Sequence, residues 1–209
     1  MNAPLTRQLF LLAYSSEHKR LRCRTHLGAS LHAAALYALT EDGMIEDRDG
    51  RVHATGTVRD ATRGCDLAAD LFTRIRASER DRSWRHWIRK HERAAIGRVR
   101  DQLARERLIK VEAHRVLGLV SSYRITLREP RERAAATGAM WDALKATTPS
   151  DRVPAADAAL AVFAYEGELR VVLGGRERRL AKSRVREFEQ RLGPTPAALR
   201  KVVREQQSS

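Results

Sequence analysis

The sequence predicts a mainly α-helical single domain, residues 1–209, carrying one β-hairpin. Three observations carry that reading. Apolar residues make up 43% of the chain but aromatics only 5%, so the core has to be built from Leu, Ala, Val and Ile, which favours helices. Apolar residues recur at helical spacing in most segments. A single stretch, "IKVEAHRVLGLVSSYRITL" from Ile109 to Leu127, reads clearly as strand. At 209 residues the chain is long enough for one sizeable core.

In chain order, "LTRQLFLLAYS" is an apolar first helix, and "SEHKRLRCRTH" is a basic loop. "LGASLHAAALYALTEDGMI" is a core helix, with Leu27, Leu31, Ala34, Ala35, Ala38 and Leu39 at helical spacing. "EDRDGRVHATG" places an Asp-Gly turn between two short extended pieces, with a strand pair expected around Arg51–Val58. "RGCDLAADLFTRIRAS" restarts a helix with Leu67, Leu71 and Ile75 on one face. "SWRHWIRKH" is a short helix capped by Ser83, and "ERAAIGRVRDQLARERL" is the next one. The hairpin follows, with a turn read near Ala113–Arg115 and an apolar tip, Leu117-Gly118-Leu119-Val120. "REPRERAAATGAMWDALKAT" is helical after Pro130, "PSDRVP" links, and "AADAALAVFAYEG" is a buried helix ending at Gly167. Two amphipathic helices flank the Gly193-Pro194 break at the end.

Charge narrows the function classes. The formal net charge of +14 points to a polyanionic partner, a nucleic acid or an anionic membrane surface. Of 40 basic residues only six are lysine: Lys19, Lys90, Lys110, Lys145, Lys182 and Lys201. Arginine binds phosphate bidentately where lysine acts as a point charge. A GC-rich genome would enrich Arg and Ala together, so the argument rests on particular positions. No window approaches the ~20 apolar residues of a spanning helix, and "MNAPLTRQLFLLAYSSEHKR" lacks the basic n-region and cleavage site of a secretory leader. A cytoplasmic protein is expected. The two cysteines, Cys23 and Cys65, suggest no disulfide framework and are read as reduced.

A catalytic constellation is not visible. The chain has no HExxH, no Gly-x-Ser-x-Gly elbow, no P-loop and no GxGxxG. Cys23-x-x-His26 is a single pair without a second, too little for a metal. The expectation is a non-enzymatic protein with no cofactor.

The densest basic stretch is Arg85–Leu108. On a helical projection of Glu92–Arg105, at ~100° per residue, Ile96, Val99 and Leu103 form the buried stripe. Arg93 and Arg100 fall at its edge, while Arg98 and Arg105 point away and are read as solvating the outer face. An arginine at the rim of a core face either snorkels or holds an anion. Arg93 and Arg100 are therefore the candidate anion ligands.

The ordered set "TRGCDLAADLFTRIRASERDRSWRHWIRKH", "VRDQLARERLIKVEAHRVLGL", "ALAVFAYEGEL" and "LAKSRVREFEQ" resembles the Golgi phosphoprotein 3 family, especially its shorter actinobacterial-type bacterial members. The resemblance runs from Leu9 to about Val203. It implies a helical bundle wrapped by amphipathic helices with one protruding β-hairpin. It also implies a peripheral membrane protein that binds phosphatidylinositol 4-phosphate or a similar phospholipid and serves as an adaptor for cytosolic tails of membrane enzymes. Of the family's Arg-x-x-Arg pair, the first position is Gly97 here and the second is Arg100. The family's second pocket arginine falls at Ser30 and its pocket tryptophan at Leu21. Arg93, with the loop arginines Arg20, Arg22 and Arg24, would rebuild a simpler anion site, the lipid-phosphate set being Arg100, Arg93, Arg24 and Arg22. Leu117, Leu119 and Val120 would bury in a membrane or pair two copies of the chain. The alternative is a winged helix-turn-helix nucleic-acid binder, with the basic helix as recognition helix and the hairpin as wing.

Overall fold

The computed structural model describes residues 3–22, 24–56, 64–116, 120–145 and 147–208. Helix dominates, at 61%. The central element is α2, Arg24–Glu41. Packed around it are α1 (Leu5–Leu12), α3 (Asp66–Arg76), α4 (Trp84–Arg89), α5 (Glu92–Arg105), α7 (Ala155–Glu166) and α9 (Thr195–Gln207). The sequence gives α2 small or apolar residues on every side, and a helix apolar all round has to be enclosed. Leu27, Leu31, Ala34, Ala35 and Leu39 of the predicted stripe are buried, but so are Ala29, Ala33, Leu36 and Tyr37. The stripe thus widens to the whole circumference, and only Ala38 of the six keeps partial exposure.

Two buried polar groups in α2 fix its neighbours. His32 donates from Nδ1 to the Ile88 carbonyl of α4 at 3.1 Å. Burial pushes its pKa down to about 4, so the ring is neutral at pH 7. Ser30, 0% exposed, donates back to the His26 carbonyl and faces Gly167 at the end of α7.

Three small antiparallel sheets decorate the bundle. The basic loop forms a short pair, β1 (Tyr14–Ser15) with β2 (Arg20–Leu21), which the sequence reading left as loop. β3 (Ile45–Arg48) and β4 (Arg51–Ala54) turn at Asp49-Gly50, both with positive φ (51° and 76°), the geometry of a tight hairpin turn. The expected extended pieces are therefore present, joined by a third, β5 (Arg82–Ser83), pairing with β4. Residues 57 and 58 of the expected Arg51–Val58 pair lie outside the described residues.

Ser83 caps α4 as predicted, its Oγ accepting from the His86 amide at 3.3 Å. β6 (Ile109–Val116) and β7 (Val120–Leu127) form the long hairpin. Its turn is not at Ala113–Arg115, because those residues pair with Tyr123, Ser122 and Ser121. The β-branched and polar run continues the ladder to Val116 opposite Val120, and the chain reverses between these two. α6 (Pro130–Leu144) starts at its proline, and α8 (Gly175–Glu189) and α9 close the C-terminal side. Among the described residues no helix is long and apolar enough to cross a membrane.

Candidate functional site

Helix α5 divides its circumference among three tasks. Ala95, Val99, Gln102 and Leu103 are buried, while Ile96 is only partly buried. The core stripe is thus turned from the projected one, toward Ala95 and Gln102, and Gly28 of α2 lets the Glu92 backbone at the start of α5 approach closely. One flank faces α3. There Arg98 pairs with Asp70 at 2.9 Å and Arg105 pairs with Asp66. Arg98 and Arg105 are exposed, as the projection expects, and each also meets an α3 carboxylate. The other flank carries Arg93, Ile96, Gly97 and Arg100, and these four line one open cleft of about 1130 Å³.

The far wall of the cleft is the last turns of α9, with Val202, Arg204 and Glu205, and Arg89 of α4 joins it. Sequence reasoning missed this wall. A basic C-terminal helix was legible, but which helix lies across from α5 is decided by packing on α2. Glu92 is a half-buried acid of the cleft, both its carboxylate oxygens 2.7 Å from Nε2 of Gln206. Burial pushes its pKa up, while the Gln206 donation and the charges of Arg89 and Arg93 pull it down. Glu205 accepts from Arg85 at 2.7 Å and lies 3.6 Å from Arg89.

The state of each arginine decides what the cleft can do. Arg93 and Arg204 are exposed and form no ion pair among the described residues. The guanidinium of Arg100 lies 4.1 Å over the Tyr123 ring of β7, with only 18% of the side chain exposed. Its Nε donates to Asp101 at 2.8 Å. Asp101 is 67% exposed, and exposed pairs of this kind are worth about 0–1 kcal/mol. A phosphate can displace it and receive a guanidinium already oriented by the tyrosine. The stacking also ties Arg100 to the hairpin.

Arg93 and Arg100 are thus brought together. Arg22 is exposed and not among the residues lining the cleft, and its amide donates to the Ala13 carbonyl. Arg24 opens α2 next to Thr25, which does line the cleft, and its side chain lies outside the described residues, as do Cys23, Leu117 and Leu119. Val120 pairs with Val116 in the ladder. Ser30 and Leu21, at the family's other pocket positions, pack into the fold instead, the serine wholly buried against α7. Cys65 is a free, buried thiol, and among the described residues no group of three or more His, Cys, Asp and Glu could hold a metal.

A second polar centre lies at the α7–α8–α9 junction. Glu166, 7% exposed, accepts from Arg200 at 3.0 Å, and Arg200 also pairs with Glu189. Two carboxyls share one guanidinium, and burial together with Glu189 holds the Glu166 pKa up, from 4.5 to about 7. The folded state therefore binds more protons than the unfolded chain between these values. Stability from this group is present below about pH 4.5 and is lost as pH rises to about 7. Glu166→Gln, which keeps a group at the guanidinium but cannot ionise, should lose less stability over that window, by on the order of 1–3 kcal/mol. Thermal melts of both proteins from pH 4.5 to 8 check this, and parallel curves would mean that Glu166 is ionised throughout.

A bundle wrapped around one enclosed helix, bearing a hairpin whose Tyr123 stacks on an arginine of a basic cleft, defines a mainly α-helical domain. The model of the Golgi phosphoprotein 3 (GPP34) family matches residues 5–206, and the chain belongs to that family. A search of curated proteins gives no match.

Proposed function

We propose that this chain is a cytoplasmic, non-enzymatic peripheral membrane protein that binds an anionic phospholipid headgroup in the α5–α9 cleft. By family resemblance the headgroup is that of phosphatidylinositol 4-phosphate or a similar lipid, and the bound protein serves as an adaptor for cytosolic tails of membrane enzymes, with self-association through the hairpin. The observation that carries the reading is the convergence of Arg93 and Arg100 on one concave face, with Ile96 and Gly97 between them. Gly97 leaves that face open, the nearest atom to a Cβ there being Arg100 Nη2 at 4.0 Å. The concave shape focuses the field of the +14 chain on one spot.

The nucleic-acid alternative needs the opposite flank of α5 free to enter a groove. On that flank Arg98 and Arg105 each sit beside a carboxylate, Asp70 and Asp66, which lowers the positive potential that a groove-reading face needs.

Vesicle co-sedimentation tests it. The protein should bind vesicles containing phosphatidylinositol 4-phosphate or phosphatidylserine, ignore pure phosphatidylcholine, and be released by salt as exposed charges are screened over ~8 Å at physiological ionic strength. Arg93→Ala with Arg100→Ala should weaken binding at least about tenfold, since a charge-assisted hydrogen bond contributes about 1.5–3 kcal/mol. Arg98→Ala, whose partner Asp70 keeps Arg74, should change it by no more than about fivefold, the worth of one surface charge at about 1 kcal/mol. Equal losses from the two flanks would leave only a basic coat, and tighter binding to a DNA duplex than to vesicles would restore the alternative.

A further inference from the structure

Beyond the α5–α9 cleft, we propose a second anion site at the α7–α8–α9 junction, which takes a single phosphate monoester. It is a concave cavity of about 280 Å³. That volume lies at the small end of ligand pockets, about 300–1,000 Å³, so it suits one headgroup or small ester rather than a polymer. Five cations line it: Arg178, Lys182 and Arg186 from α8, Arg200 and Arg204 from α9. Against them the lining sets the carboxyls of Glu166 and Glu168.

The cations fall into two groups with different work. Arg178 and Arg200 are held in place. The Arg178 guanidinium stacks 4.1 Å from the Tyr165 ring and donates to the Tyr165 carbonyl, and Arg200 bridges Glu166 and Glu189. Lys182, Arg186 and Arg204 form no ion pair among the described residues. Three uncompensated charges around a concavity repel one another and raise the local potential, which a dianionic phosphate relieves. The floor adds to this, because Glu166 holds its proton up to about pH 7 and carries less negative charge near neutrality than its residue type suggests. Two held guanidinium groups beside three exposed cations supply the several N–H donors that a phosphate accepts from.

Arg204 lines this cavity and the α5–α9 cleft alike, so the two open on neighbouring sides of the α9 C-terminal turns. A membrane presenting phosphate groups can fill both at once, and the second site then raises avidity. The site stands without the first: its ligands Lys182 and Arg186 are absent from the α5–α9 cleft.

The test uses the full chain with Arg93→Ala and Arg100→Ala as background, so that the first cleft is disabled. Glycerol 3-phosphate is titrated by calorimetry at low ionic strength, and vesicles carrying phosphatidic acid are co-sedimented in parallel. One equivalent of the soluble ester should bind, or the vesicles should, and adding Lys182→Ala and Arg186→Ala should weaken the binding about tenfold or more, at about 1 kcal/mol per cation. Both side chains are exposed, so melting temperature should hold. Binding of the soluble ester assigns the site to free phosphate esters, and binding of vesicles alone assigns it to a lipid headgroup. No binding by either probe, or binding that Lys182→Ala and Arg186→Ala leave unchanged, overturns the proposal. Loss of vesicle binding on Arg93→Ala and Arg100→Ala alone bears on the first cleft and leaves this outcome separate.

Discussion

Gly28→Ala should cost about 2 kcal/mol and disturb the α5–α9 cleft as well. A Cβ at Gly28 would lie 2.2 Å from the Glu92 carbonyl oxygen and 2.7 Å from its carbon. Both are backbone atoms of α5, so no rotamer change relieves the clash. Overpacking of this kind costs typically about 1–3 kcal/mol, and alanine's better helix propensity returns up to about 1 kcal/mol. The two helices must move apart, and Arg93 sits one residue from the contact. Vesicle binding should therefore fall together with stability. Gly138→Ala in α6 is the counterpart, since nothing lies within 4 Å of its Cβ; there the same substitution should stabilise by about 0.5–1 kcal/mol. Denaturant titrations of both variants decide the matter. A neutral Gly28→Ala would mean that α2 and α5 cross less closely than described and that the cleft does not depend on this glycine.

The sequence disclosed the helices because each long segment kept a 3.6-residue apolar period, and it disclosed the hairpin because Ile109–Leu127 broke that period with β-branched residues. It did not disclose the hairpin's turn. Nothing in "VEAHRVLGLV" marks a reversal except Gly118, and ladder pairing through His114 and Arg115 settles the register instead. Half of the candidate site was legible: the projection put Arg93 and Arg100 on one flank, where they line one cleft. The wall opposite, with Arg204 and Glu205 some hundred residues away in sequence, follows from how α9 packs on α2, and no local pattern encodes that. Gly167 shows the same limit. It reads as a helix stop, yet its φ of −77° is one any residue adopts. Its reason is lateral, since a Cβ there would meet Ser30 Oγ at 1.9 Å. Arg98 and Arg105 are exposed as the projection expects, but a projection does not show that α3 places a carboxylate beside each.

The polar residue that the apolar pattern hid most completely is Gln102, and its replacement should also lower stability clearly. It lies within the buried face of α5, 6% exposed, where hydrophobic periodicity has no place for it. Its Oε1 accepts from the Asp66 amide at 3.1 Å, and its Nε2 donates to the Gly64 carbonyl at 2.8 Å and to Glu106 at 2.7 Å. The Asp66 amide is among the first N–H groups of α3, which have no partner within their own helix. Gln102→Leu fills the same space but strands that amide and the Gly64 carbonyl. Both groups are only partly buried, so each one left without its partner costs toward the low end of about 1–3 kcal/mol, and the added apolar burial returns about 1 kcal/mol. The net loss should be about 2 kcal/mol, a fall in melting temperature of roughly 4–8 °C for a chain of this size. Gln190→Leu, exposed at the end of α8, should stay within about 0.5 kcal/mol. If Gln102→Leu costs no more than that control, water has taken over the stranded groups, and the start of α3 is held by Leu67, Ala68 and the other buried apolar side chains of that helix.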